Sequence, residues 1–150
     1  TLLDFERSNI GGAVGSRRML ARIVEDLAAL EREGTAEAGS DATRGEIAER
    51  YIETEVMFQF SFCIISLQHR SILPNYEASM SKLFNLELGQ RLAQTATRPF
   101  GLRSLRWGDG SPGSRYGETY IRMVPATIRG GTSEVQRNVI ATRGLGLPRG

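Results

Sequence analysis

The chain has 150 residues, which is enough for one domain that buries a core without disulfides or a bound metal. Its 40% of hydrophobic and 24% of charged residues are ordinary for a globular protein, and a net charge of +2 carried by scattered arginines does not predict nucleic-acid binding. The single cysteine, Cys63, excludes an internal disulfide, and together with the single histidine, His69, it predicts no metal site.

Three long helices are predicted in the first hundred residues, because hydrophobic side chains recur there at helical spacing. The first covers residues 2–32 and is followed by a small-residue, acidic linker at 34–40. The second runs from about residue 41 to 69, and the third from about 76 to 97, where Pro99 should end it.

The second helix has the most hydrophobic segment of the chain. Ser40 or Asp41 is expected to cap its start. Residues 56–67 are strongly apolar, but a helix needs about twenty apolar residues to cross a bilayer, so a buried bundle helix is the better interpretation. Cys63 lies inside this run, and we expect a buried, inert thiol rather than a nucleophile.

Three glycines fall within the first helix, at positions 11, 12 and 15. Each costs roughly 1 kcal/mol relative to alanine in a helix interior. Their clustering therefore predicts close approach by another group. Space for a ligand such as an acyl chain and simple helix packing are equally compatible with the pattern.

The second half of the chain has shorter elements. Residues 101–114 are a loop rich in Gly and Arg, and a fourth helix covers about 116–127, which Pro125 should kink or end. A last helix starts near Thr132. No stretch alternates in the manner of a strand, so the predicted fold class is all-α, an antiparallel four-helix bundle with an additional C-terminal helix.

The tail is the most informative segment. Gly130 and Gly131 permit a sharp turn, Thr132 or Ser133 can cap the helix that follows, and Glu134 lies in its first turn, where the helix dipole favours a carboxylate. The predicted apolar face and the predicted helix stop consist of Val135, Val139 and Ile140 and of Gly144, Gly146 and Pro148. Free amides at such a helix start suit the polar atoms of a ligand, although many helices begin this way without one.

The exact order of residues in the tail is far more specific than its helix-start pattern. Gly-Gly-Thr-Ser-Glu-Val-Gln-Arg-Asn-Val-Ile-Ala at 130–141, then Arg-Gly-Leu-Gly-Leu-Pro-Arg at 143–149, resembles the C-terminal signature of the acyl-CoA dehydrogenase family. Residues 3–7 and 11–15 resemble the start of the same family's C-terminal helical domain. The resemblance implies one such domain over residues 1–150 and the same helical bundle. The lack of an initiator Met fits a fragment of a longer chain.

The resemblance implies FAD as cofactor and α,β-dehydrogenation of an acyl-CoA thioester, in which a carboxylate removes the α-proton. Many members carry that carboxylate just before the Gly-Thr-Ser turn, where this chain has Gly130. Isovaleryl- and long-chain-type members carry it on the first helix in an Asp-x-Glu-Arg context, which matches Glu6. The chemistry of the sequence alone favours a different role for Glu6, that of an exposed first-turn acid.

Further roles are carried over from the family residue by residue. Arg7 would orient the base or meet the thioester, Asp4 would face the CoA moiety, and Gly130 would border the substrate. The residues expected at the adenosine portion of the flavin are Gly131, Thr132, Glu134 and, more weakly, Gln136. The resemblance also implies a homo- or hetero-tetramer through the helical bundle and an electron-transfer flavoprotein as acceptor. The chain shows no signal peptide, which favours a cytoplasmic location.

Two family patterns are degraded in this chain. The usual Arg-x-x-Phe-Gly, which reaches the FAD of a neighbouring subunit, is replaced by Arg-Glu-Gly-Thr-Ala at 32–36. The usual Gln-x-x-Gly-Gly is replaced by Arg-Pro-Phe-Gly at 98–101. We therefore expect poor contact with a partner's flavin, and one alternative function is a non-catalytic or half-site subunit of a mixed assembly. A standalone helical binding module is a further alternative.

Overall fold

In the computed structural model, residues 11–149 are described, and they form helices joined by short loops. The elements in chain order are α1 (Gly11–Arg32), α2 (Asp41–His69), α3 (Tyr76–Phe100), a 3-10 segment (Gly101–Leu105), α4 (Pro112–Ala126), α5 (Ser133–Val139) and a π-helical turn (Ile140–Gly144). No strand occurs in this part of the chain, and the predicted all-α fold is confirmed.

The central helix of the fold is α3, which packs against α1, α2, α4 and α5. Its Leu88, Leu92 and Ala96 are fully buried in the core. Other large core side chains come from three neighbouring helices: Leu20, Ile23, Leu27 and Leu30 of α1, Met57 of α2 and Tyr116 of α4. These three helices therefore share one hydrophobic core with α3.

The predicted bounds of α2 are confirmed, and Ser40 is its cap. The hydroxyl oxygen of Ser40 accepts a hydrogen bond from the backbone N–H of Thr43 at 3.2 Å. By contrast, α3 continues through Pro99 to Phe100 instead of ending before the proline. Gly101 follows at the C-cap with φ of +51°, a value that favours glycine.

The start of α4 lies earlier than predicted, at Pro112 rather than near residue 116. Ser111 caps the helix by accepting from the N–H of Ser114 at 3.3 Å, and a proline is well tolerated in the first turn because its missing N–H has no partner there. The predicted effect of Pro125 is confirmed, since α4 ends at the next residue.

The outward face of α2 is apolar and exposed. Cys63 is exposed, so the prediction of a buried thiol is wrong. The inward side of this helix is lined by Thr54, Met57, Ser61 and Ile64, whereas the large hydrophobic residues Tyr51, Ile52, Val56, Phe62 and Ile65 are all at least 39% exposed. None of the described helices is long and apolar enough to cross a membrane.

Among the glycines of α1, Gly12 lies where α1 packs closely against α3. A Cβ at this position would come within 2.5 Å of the side-chain amide of Asn85 on α3. A Cβ at Gly15 would meet nothing within 4 Å. The close approach predicted from the glycine cluster is therefore present at Gly12, and the group that approaches is a side chain of the bundle.

Candidate functional site

The turn before α5 has the backbone geometry that the two glycines predict. Gly130 and Gly131 have φ of +68° and +103°, in the left-handed region that side chains disfavour. Thr132, rather than Ser133, is the cap, because its hydroxyl oxygen accepts from the N–H of Val135 at 3.3 Å. The carboxylate of Glu134 accepts hydrogen bonds from the backbone N–H of Glu134 and from the Thr132 hydroxyl. These bonds, the first more than the second, lower the pKa of Glu134 and keep the exposed carboxylate ionised.

Gln136 closes the turn from inside. Its side chain is 1% exposed, and its amide nitrogen donates to the carbonyl oxygens of Gly130 and Gly131, both at 3.3 Å. Its amide oxygen is buried and has no hydrogen-bond partner within residues 11–149. The predicted apolar face of α5 is wrong at Val135, which is 44% exposed, and the side of this helix turned to the bundle carries Gln136 instead.

A lysine that the sequence analysis did not assign to the site reaches the same turn. Lys82, on α3, donates from Nζ to the carbonyl oxygen of Gly131 at 2.8 Å. A Cβ at Gly130 would lie 3.1 Å from this Nζ. Lys82 is the only lysine among 19 basic residues, and this was the one signal that could have drawn attention to it.

Further side chains fix α5 on the bundle. Arg137 pairs with Glu87 of α3 at 2.5 Å, and Arg143 donates to the side chain of Asn75 at 2.8 Å. Glu87 also lies 3.9 Å from Arg91, which pairs with Glu53 of α2 at 2.8 Å. Alternating charges thus connect α5, α3 and α2.

Five of the predicted site residues lie together at this end of α5: Gly130, Gly131, Thr132, Glu134 and Gln136. The other three, Glu6, Arg7 and Asp4, lie outside the described residues, so the assignment of the base and its neighbours stays a prediction. Within residues 11–149, no group of His, Cys, Asp and Glu side chains could hold a metal ion.

The two degraded family stretches also come together in space. Arg103, just after α3, pairs with Glu33, just after α1, at 3.1 Å, and Arg106 pairs with Asp109 at 2.8 Å. A cavity of about 200 Å³ lies beside them. Each of these guanidinium groups therefore faces a carboxylate of the same chain at the surface.

The start of α5 fits an adenosine group better than a phosphate. The ionised carboxylate of Glu134 can accept hydrogen bonds from hydroxyl or amino groups but repels a phosphate. Residues Thr132 and Glu134 are therefore compatible with the adenosine portion of FAD.

Residues 1–145 match the family described as acyl-CoA dehydrogenase, C-terminal domain. The chain therefore belongs to the acyl-CoA dehydrogenase family. Among curated proteins it is similar to acyl-CoA dehydrogenase IpdE1 of Mycobacterium tuberculosis (strain ATCC 25618 / H37Rv), with 28% identity over 147 residues, covering 98% of this chain and 37% of the relative.

Solved structures of the family share the fold. The Tcur3481-Tcur3483 steroid ACAD matches with a TM-score of 0.79 and 28% identity over 100% of this chain and 39% of that chain. Its G363A variant matches with a TM-score of 0.80 and 25% identity over 99% and 39%. The ChsE4-ChsE5 complex of M. tuberculosis, at 21% identity, a TM-score of 0.71 and coverage of 88% and 36%, shows the fold alone. The chain thus spans less than half the length of these relatives.

Proposed function

We propose that this chain is the C-terminal helical domain of a flavin-dependent acyl-CoA dehydrogenase that introduces an α,β double bond into an acyl-CoA thioester. The observation that carries the proposal is the family match over residues 1–145, joined to a Gly130–Gly131 turn whose helix start suits adenosine. When bound, FAD supplies the acceptor for the β-hydride. The residues of this chain supply the base and part of the binding surface.

The proposed base is Glu6. The α-proton of a thioester is weakly acidic, so the base needs a pKa near neutrality and a fixed position beside that carbon. Position 130 is glycine and Arg129 is a cation, so neither can take the proton. In this proposal Arg7 orients the carboxylate or meets the thioester, Asp4 faces the CoA moiety, and Gly130 borders the acyl group.

The proposed cofactor contacts are Gly131, Thr132, Glu134 and Gln136. The hydroxyl of Thr132 accepts from Val135 and bonds the Glu134 carboxylate, so it holds that carboxylate in place for the ligand. Glu134 accepts from the ligand's hydroxyl or amino groups. The amide of Gln136 is enclosed behind the turn, so we assign it mainly to shaping the turn.

The direct test uses the full-length protein. It should purify with a flavin spectrum, and addition of acyl-CoA without oxygen should bleach the flavin as the substrate is oxidised. The relation to a steroid ACAD makes thioesters of steroid-ring acids the first substrates to try, with straight-chain thioesters beside them. A full-length protein that holds flavin but is bleached by neither class would contradict the proposed reaction. Reoxidation by an electron-transfer flavoprotein would identify the acceptor.

A half-site subunit of a mixed assembly is the second candidate, and the replacement of the two family stretches at 32–36 and 98–101 favours it. If this chain cannot reach a neighbour's pyrophosphate, an assembly with an unlike partner should contain fewer flavins than chains. The ratio of flavin absorbance to protein in the purified assembly measures this. One flavin for every chain would contradict this second candidate.

The outward face of α2 is the surface that we propose for contact with another subunit of the tetramer. Residues 56–68 include no charged side chain, and large exposed apolar patches mark protein interfaces. Cys63 lies on this face, and maleimide found on the peptide that contains Cys63 reports on it.

Maleimide labelling of Cys63 tests this assignment. We expect slow labelling in the assembled protein, fast labelling after dissociation, and loss of assembly in Phe62→Glu. Val24→Glu is the matched control, because Val24 is an exposed apolar residue of α1. Equal labelling in both states, with Phe62→Glu still assembled, would show that this face stays in solvent.

A further inference from the structure

The Gly130–Gly131 turn has little local support for an unusual backbone. Two consecutive residues lie in the left-handed region, where glycine has much conformational freedom to lose. The local bonds to its carbonyl oxygens come from Gln136 and are long, at 3.3 Å each. A bond from outside the segment therefore adds to this local support.

Lys82 supplies such a bond. Its Nζ donates to the carbonyl oxygen of Gly131 at 2.8 Å, and the donor is charged and half-buried. Hydrogen bonds from a charged donor are shorter and roughly twice as strong as those between neutral groups. Lys82 is 49 positions away in the sequence, so this bond ties the turn to the rigid helix α3.

The other anchors of α5 hold it further along. Arg137 binds Glu87, and Arg143 binds Asn75, both beyond the first turn of the helix. Loss of the Lys82 bond would therefore leave α5 docked while the turn samples other conformations. The roles of holding the helix and shaping the turn are divided between different side chains.

We propose that Lys82 is a positioning residue, which fixes the backbone of Gly130 and Gly131 so that Thr132 and Glu134 meet the flavin in one geometry. The inference rests on the proposed function, in which residues 131–134 contact the cofactor. It adds a residue of α3 that does not itself need to touch the flavin.

The test compares Lys82→Met and Lys82→Arg in the full-length protein, with Arg137→Met as control. Removing a charge-assisted bond should weaken FAD binding by about tenfold or more in Lys82→Met, measured by titration of the apoprotein. Lys82→Arg, which keeps a charged donor, should recover most of the affinity. Arg137→Met should lower the melting temperature with a smaller change in FAD affinity, because it loosens the helix and leaves the turn bonded.

The outcomes separate the two proposals. A parent protein that cannot bind FAD would contradict the proposed function and this inference with it. A parent that binds FAD while Lys82→Met binds equally well would contradict the inference alone. Equal losses of affinity in Lys82→Met and Arg137→Met, without recovery in Lys82→Arg, would show that Lys82 only supports the fold and would also overturn it.

Discussion

At the level of single residues, two glycines of α4 allow a helix to touch the backbone of the 3-10 segment. A Cβ at Gly117 would come within 1.8 Å of the carbonyl oxygen of Ser104, and one at Gly113 within 2.8 Å of that of Arg103. Both neighbouring atoms belong to the backbone of the 3-10 segment. The position of α4 beside this segment therefore depends on the absence of a side chain.

We expect Gly117→Ala to destabilise the protein by about 3 kcal/mol, the upper part of the usual range for overpacking, because backbone cannot move aside as a flexible side chain can. Gly45→Ala on the surface of α2 is the control, since its Cβ would meet nothing within 4 Å and alanine is the better helix former. Urea unfolding of both variants measures the free energies. An unchanged stability of Gly117→Ala would show that α4 does not pack this closely.

Tyr116 joins α4 to α1. Its hydroxyl donates to the carboxylate of Asp26 at 2.6 Å, and the ring is 1% exposed. Burial, and then the bond to Asp26, raise the pKa of Tyr116 far above its ordinary value. The folded state therefore holds the phenol proton at a pH where the unfolded chain releases it.

The raised pKa of Tyr116 makes the free energy of unfolding depend on pH. Below a pH of about 10, the ordinary tyrosine pKa, both states keep the proton and this contribution is complete. Above it, the unfolded state binds fewer protons, so the free energy of unfolding falls as the pH rises. Tyr116→Phe should lose about 1.5–3 kcal/mol at neutral pH and show a shallower decline above pH 10, measured by urea unfolding. If the free energy of unfolding of Tyr116→Phe falls as steeply above pH 10 as that of the parent protein, other groups cause the decline.

At the level of elements, the sequence predicts helices better than it predicts their ends and faces. The bounds of α2 follow from periodicity and a serine cap. The predicted end of α3 and the predicted start of α4 are wrong, because each helix includes a proline at that end. A proline in the last or first turn disrupts little of the hydrogen-bond ladder. For α5, periodicity favoured Val135, whereas the carbonyl groups of the glycine turn required the donor that Gln136 provides.

The exposed face of α2 shows a second limit of prediction from one chain. An apolar run is the same signal whether it will be buried by its own domain or by another subunit. Cys63 was therefore expected inside the core and lies outside it. Only the packing of the neighbouring helices shows which apolar face of α2 the bundle leaves uncovered.

At the level of the whole molecule, the tail string at 130–149 supplied the four residues that we propose at the flavin, and in the structure they lie at one turn together with Gly130. Lys82 could not be found in this way, because its contact with the turn crosses 49 positions of sequence and depends on how α5 lies on α3. The proposed base, Glu6, precedes the described residues, so its assignment depends on the resemblance alone.

The isolated 150 residues should bind FAD weakly or not at all. The start of α5 offers only a few polar groups, and these cannot offset the cost of immobilising so large a ligand. Titration of this domain alone with FAD is the measurement. Submicromolar binding would show that the domain carries most of the flavin site by itself.

Flavin bleaching in Glu6→Gln of the full-length protein tests whether Glu6 is the base. The substitution keeps the size and polarity of the side chain but removes the base. Anaerobic reduction of the flavin by acyl-CoA should slow by about 10² to 10⁴, the usual contribution of a positioned base, while flavin content and melting temperature stay near those of the parent. Glu25→Gln, at an exposed acid of α1, should leave the rate unchanged. If Glu6→Gln reduces its flavin as fast as the parent, Glu6 is not the base and the proposed mechanism is wrong.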